Sequence, residues 1–166
     1  SPKIDSLLSV LDLQKRDTNT FHNLYQLTEE LKYIGENQKA REYIEIGLEI
    51  SRELNWPKGR ALSFYIIADT YLNTTKYDSA SIYFERILEI CDSFDLKSIK
   101  AKTLLNYSNL YSEKSDYPQT LSLLFKALKL FEELEEENRY GEALSNIGIV
   151  YFYQQEYNTA LQYFER

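Results

Sequence analysis

An all-α fold of antiparallel helix hairpins packed side by side is what this sequence predicts, on three observations. The first is self-similarity at a fixed step. Tyr71, Tyr111 and Tyr151 stand 40 residues apart, and Tyr77, Tyr117 and Tyr157 keep the same step. So do Ala40, Ala80, Thr120 and Ala160, then Ile44, Phe84, Leu124 and Phe164, and finally Leu48, Leu88 and Leu128. A period of roughly 20 to 50 residues marks one supersecondary unit recurring and burying its apolar face on its neighbours. The second is helical spacing: Phe64, Ile67, Ala68 and Tyr71 fall at i, i+3, i+4 and i+7, and a second stripe runs through Ala80, Phe84, Ile87 and Leu88. The third is the interval between those stripes. Asn73 to Lys76 has room only for a turn, so the two helices must run antiparallel.

Taken in chain order, residues 1–19 carry Ile4, Leu7 and Leu8, which lie 40 residues before Ile44, Gly47 and Leu48. The segment is therefore expected to be the second helix of a preceding unit. Residues 20–59 form the first repeat, a degenerate one, with Leu31 and Asn37 where the other units have tyrosine. In residues 60–99, the second repeat, the small Ala68 faces the small Ala80 and lets the two backbones approach closely. Ser108 with Thr120, and Gly148 with Ala160, repeat that pairing in residues 100–139 and 140–166. Pro118 suits the first turn of its helix, where a missing N–H costs nothing, and Asp78 and Asn158 hold that place in the neighbouring units. The last repeat is truncated, since Arg166 falls partway through its second helix.

The pattern Phe64-x2-Ile67-Ala68-x2-Tyr71 then Ala80-x3-Phe84 recurs as Leu144-x2-Ile147-Gly148-x2-Tyr151 then Ala160-x3-Phe164. This resembles the tetratricopeptide repeat over nearly the whole chain. The usual proline near the end of the second helix is replaced by Asp92 and Glu132, which suits the 40-residue variety of the family whose second helix runs on. The resemblance implies a right-handed α-solenoid, a concave groove lined by the first helices, and a protein or peptide as partner. The tyrosine-rich wording is similar to arrays in bacterial signalling proteins.

Composition narrows the function classes. Hydrophobic residues make up 43% and charged residues 27%, enough apolar surface to offset the entropy of ordering, so the chain folds. The net charge of −7 repels a nucleic-acid backbone and an anionic membrane alike, which excludes nucleic acid as a partner and direct membrane contact by this segment. No apolar run approaches the roughly 18 residues of a membrane span, and residues 1–9 lack the pattern of a signal peptide. The single Cys91 forms no internal disulfide and is expected to be buried; it leaves the compartment open, a cytoplasmic one being favoured over a periplasmic sensor domain. The lack of methionine and of a polar cap at either end suggests a piece of a longer array, whose uncapped ends offer a route to a homodimer.

Candidate binding residues lie opposite the packing stripe of each first helix: Tyr65, Ile66, Asp69, Leu72 and Asn73; Leu105, Asn106, Asn109, Ser112 and Glu113; Ser145, Asn146, Ile149, Phe152 and Tyr153. From these the candidate groove is Tyr65, Asp69, Asn73, Asn106, Asn109, Asn146, Phe152 and Tyr153. Rings give contact area at low entropic cost, and amides both donate to and accept from an extended backbone. Asn106 and Asn146 stand 40 apart, as a ladder would require. The resemblance implies that such asparagines hold a ligand's main chain. The basic clamp of some family members is absent, since Tyr25 and Tyr65 take the lysine positions. Tyr71, Tyr111 and Tyr151 are expected in the core.

No catalytic, metal or cofactor site is expected. His22 has no second histidine or cysteine at metal spacing, and no glycine-rich phosphate loop or paired acid and base is present. The run Glu132–Glu137 is expected to be a solvated turn, and Trp56-Pro57 a turn in which the proline breaks a helix. Two functions compete: a non-catalytic protein-interaction scaffold binding a peptide or partner helix in its groove, and a sensory or regulatory segment of a bacterial sensor kinase or transcription regulator.

Overall fold

The computed structural model describes residues 2–166. Among them are nine helices and no strand: α1 (Pro2–Val10), α2 (Thr18–Tyr33), α3 (Asn37–Glu53), α4 (Pro57–Asn73), α5 (Tyr77–Phe94), α6 (Lys97–Glu113), α7 (Tyr117–Glu133), α8 (Glu137–Tyr153) and α9 (Tyr157–Phe164). The chain forms two compact units, one running up to Phe94 and the other from Asp95 to Arg166. In the first, α2 pairs with α3 and α4 with α5, and the two hairpins join through α3 against α4 and α2 against α4. In the second, α6 pairs with α7 and α8 with α9, joined through α7 against α8.

What fixes the helix lengths is a turn repeated at half the sequence period. Gly35, Asn55, Thr75, Asp95, Ser115, Glu135 and Gln155 all have positive φ, one every 20 residues. At six of these seven the backbone closes as a Schellman motif. At the tip of the α4–α5 hairpin, for example, Lys76 N donates to Tyr71 O at 2.9 Å and Thr75 N to Leu72 O at 2.9 Å. Turns within a hairpin and turns between hairpins thus have the same construction. Only position 35 uses glycine, for which a left-handed backbone carries no Cβ penalty. The far side of each turn starts the next helix: Asp116 accepts from Gln119 N at 3.2 Å, and Asp17 does the same for Thr20 N at 2.8 Å.

The small residues predicted at the helix crossings are all buried: Ala40, Ala68, Ala80, Ser108, Thr120, Gly148 and Ala160. Gly148 lets the Phe164 ring settle directly against its helix, since a Cβ there would sit 2.6 Å from Cε1 of that ring and push it outward. Phe21, Phe84 and Phe131 are fully enclosed. Buried hydroxyls act as small spacers whose protons are satisfied within their own helix: Ser63 bonds Gly59 O, Thr70 bonds Ile67 O, Thr103 bonds Ile99 O and Ser108 bonds Leu105 O.

Three packing expectations need correction. Tyr71, Tyr111 and Tyr151 are half-buried rather than core, because they lie in the last turn of their helices, next to the hairpin tips, where the rings lean along the surface. Tyr71 stacks on Tyr83 (5.8 Å, 21°) and Tyr151 on Tyr163 (5.5 Å, 13°), and burial of Tyr151 pushes its phenol pKa upward. Ile66 and Leu105, expected on the open face, are buried at 0% and 1% exposure. A single stripe is too narrow an account of these helices: α4 is covered by α2, α3 and α5 at once. Pro57 does not break a helix but opens α4, at a position where its missing N–H is harmless, and Trp56 packs edge-on against Phe21 (4.9 Å, 73°).

Candidate functional site

The eight candidate groove residues divide between the two units. In the first, Tyr65 and Asp69 are half-buried on α4, and Asn73 is exposed at its end. Asp69 already carries an ion pair, its Oδ2 lying 2.5 Å from the Lys32 ammonium of α2. Lys32 also approaches Glu29 Oε1 at 3.1 Å and the Tyr65 ring at 5.9 Å from the centroid. Helical spacing places Asp69 and Tyr65 side by side but does not reveal Lys32, which lies 37 residues earlier. Its signal was a charge at a helix position otherwise turned toward the neighbouring hairpin.

In the second unit three of the candidates, Asn109, Asn146 and Tyr153, converge on one recess of 210 Å³ between α6 and α8, floored by α7. Ser112 and Ile149, from the same predicted faces, also line it. The floor does not follow from the open faces of α6 and α8: Leu124 and Val150 are buried apolar side chains, and Ser108 and Thr120 line the recess as well as serving the helix crossings. The hydroxyls of Ser108 and Thr120 spend their protons on Leu105 O (2.6 Å) and Asp116 O (2.8 Å), so their oxygens face the recess as acceptors only. Among the described residues no hydrogen bond engages the side-chain amide of Asn109 or Asn146. No lysine, arginine, aspartate or glutamate lines the wall.

Tyr153 is 61% exposed yet not loose, because its ring stacks on Tyr117 at 6.4 Å and 7°. Phe152 stands outside the recess, edge-on to Tyr157 (5.5 Å, 64°). Asn106 is half-buried and also outside, so the two members of the asparagine ladder occupy different environments. The reason is geometric. Asn106 lies one turn earlier on α6 than the recess-lining pair Asn109 and Ser112, whereas on α8 the recess starts at Asn146. The expected contrast between accessible groove residues and buried tyrosines is therefore one of degree: Tyr65, Asn106 and Asn146 are half-buried, as Tyr71, Tyr111 and Tyr151 are.

The remaining singled-out residues have structural partners. His22 donates from Nδ1 to Thr18 O at 2.6 Å and lies 5.8 Å from the Trp56 ring. Cys91 is buried. In the acidic turn Glu133 pairs with Lys97 at 3.4 Å and Glu136 accepts from Ser98 Oγ at 2.8 Å. Among the described residues no group of histidine, cysteine, aspartate and glutamate is placed to hold a metal ion, and no helix is long and apolar enough to cross a membrane.

Comparison with known proteins agrees with this architecture. Residues 100–166 match the tetratricopeptide repeat family model. Over 102 residues the chain is 28% identical to response regulator aspartate phosphatase I of Bacillus subtilis (strain 168), an alignment covering 61% of this chain and 26% of that protein. The chain thus spans about a quarter of that curated relative. Among solved structures, the apo form of RapI superposes with a TM-score of 0.78 at 23% identity, covering 97% of this chain and 57% of that one. A Rap protein complexed with competence and sporulation factor gives 0.82 at 17% identity, covering 89% and 42%. BtubC from P. vanneervenii gives 0.77 at 21% identity, covering 99% and 68%. At these identities the superpositions show a shared fold. The family-model match thus assigns residues 100–166 to the tetratricopeptide repeat, and the helix hairpins that recur every 40 residues through the rest of the chain have the fold these structures share.

Proposed function

We propose that this chain is a non-catalytic interaction scaffold that holds an extended peptide, or an extended stretch of a partner protein, in the recess between α6 and α8. One observation carries the reading: two side-chain amides with no partner among the described residues, Asn109 and Asn146, flank an uncharged recess with an apolar floor, and a stacked tyrosine closes its side. An amide pair satisfies the main chain of a ligand whatever its sequence, and a floor of Leu124 and Val150 takes an apolar side chain. The solved Rap complex supports it by showing this fold in a protein with a bound factor. The phosphatase name belongs to a relative of which this chain spans about a quarter, and the recess has neither a nucleophile beside a base nor an ionised acid.

A displayed library of random peptides tests the reading. Peptides selected by the wild-type chain should lose about 1 to 3 kcal/mol of affinity to a variant carrying Asn109→Ala and Asn146→Ala. The melting temperature should stay put, because among the described residues neither amide holds a hydrogen bond within the fold. Unchanged affinity for every selected peptide would remove the recess as the binding site.

A further inference from the structure

Where α2 lies against α4 in the first unit, groups from both helices enclose one ammonium. Lys32 Nζ stands 2.5 Å from Asp69 Oδ2, 3.1 Å from Glu29 Oε1 and 5.9 Å from the centre of the Tyr65 ring. The Lys32 side chain is 9% exposed and Asp69 17%, whereas Glu29, at 42%, leaves one side open. Lysine is almost never buried this far unless paired, and here two carboxylates serve one cation. Carboxylates from two different helices and one ring face thus meet at a single cation. That is the chemistry of a cation-binding site, and a guanidinium would suit it better than an ammonium, since its planar fork engages carboxylates in pairs and stacks on rings. The net charge of −7 further favours the approach of a basic ligand.

We propose that this enclosure recognises a lysine or arginine side chain of a partner polypeptide, and that Lys32 is a built-in stand-in that occupies it in the free protein. The four-carbon stem of Lys32 lets its ammonium swing past Glu29 into solvent as the incoming cation arrives. Glu29 and Asp69 exchange one cation for another, so neither carboxylate is left buried and unpaired, the event that makes breaking such a pair costly. Self-occupation sets a threshold: the apparent affinity for a ligand cation is reduced by the fraction of time the site stands open. The enclosure shares no residue with the recess between α6 and α8, and its test does not depend on that recess.

Lys32→Met keeps the buried stem and removes the ammonium. Nα-acetyl-L-arginine amide titrated into the variant, followed by backbone amide NMR, should shift Glu29, Tyr65 and Asp69 and bind about tenfold tighter than to the wild-type chain. Added salt should weaken binding, and Asp69→Asn in the same background should abolish the gain. Nα-acetyl-L-norleucine amide, which lacks the charge, should produce no shifts. A folded Lys32→Met variant that takes the arginine probe no better than the wild type, or no better than the double variant, would show that Lys32 is only a strut between α2 and α4. Lys32→Ala covers the case of a variant that folds poorly. Millimolar n-butylammonium should raise its melting temperature and n-butanol should not; equal effects of the two would overturn the proposal.

Discussion

Replacing Thr75 with glycine should stabilise the protein, although in most helical proteins a new glycine does the reverse. Thr75 has φ +57° at the tip of the α4–α5 hairpin, where its N–H closes on Leu72 O. An L residue in that left-handed conformation costs about 1 to 2 kcal/mol through the clash of Cβ with the backbone, and a β-branched one lies at the upper end. Glycine removes this cost and adds about 0.5 to 1 kcal/mol of backbone entropy lost on folding. The balance is a gain of roughly 0.5 to 1 kcal/mol, or about 1 to 4 °C in melting temperature for a chain of this size. Asn55, with φ +45°, is the internal control: asparagine visits this region readily, so Asn55→Gly should gain nothing or lose a little. The reverse change, Gly35→Ala at φ +81°, should lose about 1 to 2 kcal/mol. The assay is thermal and urea unfolding followed by circular dichroism. A stability loss for Thr75→Gly, or equal effects at positions 55 and 75, would refute the account of the turns as left-handed caps.

Further predictions concern the core, the loop before α2 and the hairpin tips. A Cβ at Gly59 would lie 2.4 Å from Cε3 of Trp56 and 2.9 Å from Cβ of Ser51, and Phe21 blocks the retreat of the indole. Gly59→Ala should therefore cost about 1 to 3 kcal/mol in urea melts, and less in a Trp56→Ala background, where the obstacle is gone. Phe84→Ala, at a fully enclosed site, should cost about 3 to 5 kcal/mol, and Tyr111→Ala, half-buried, clearly less; equal losses would show the tyrosine to be as enclosed as the phenylalanine. Arg16 grips Glu53 at 2.7 and 2.9 Å and Glu49 at 3.3 Å, and this holds the Glu53 carboxyl below its ordinary pKa. A depressed folded-state pKa means stability that is present above the unfolded value and lost as pH falls through the folded one. Between about pH 5 and 3 the melting temperature should thus fall more steeply in the wild type than in Arg16→Gln, with the two curves converging in acid.

Much of the fold is written locally. The helix hairpins follow from apolar residues at helical spacing and from a four-residue interval that only a turn can fill. The 40-residue step then fixes which small residues meet, because Ala40, Ala80, Thr120 and Ala160 are chemically suited to a close crossing wherever the hairpin closes. Asn109, Asn146 and Tyr153 were legible as an open face for the same reason, since three and four residues along a helix return to one side. What a single helix cannot specify is how many neighbours cover it. Ile66 lies on the side a single stripe leaves open, yet α4 is enclosed from three directions, so its apolar arc is wider than the stripe. The half-period of the turns was hidden as well, because a left-handed cap is a backbone state that threonine, serine, glutamate and glutamine adopt here under tertiary constraint, against their own preference. The pairing of Lys32 with Asp69 lies further still from the sequence signal. Two charges 37 residues apart become partners only when consecutive hairpins pack and bring α2 against α4, so that contact was decided by the tertiary structure alone.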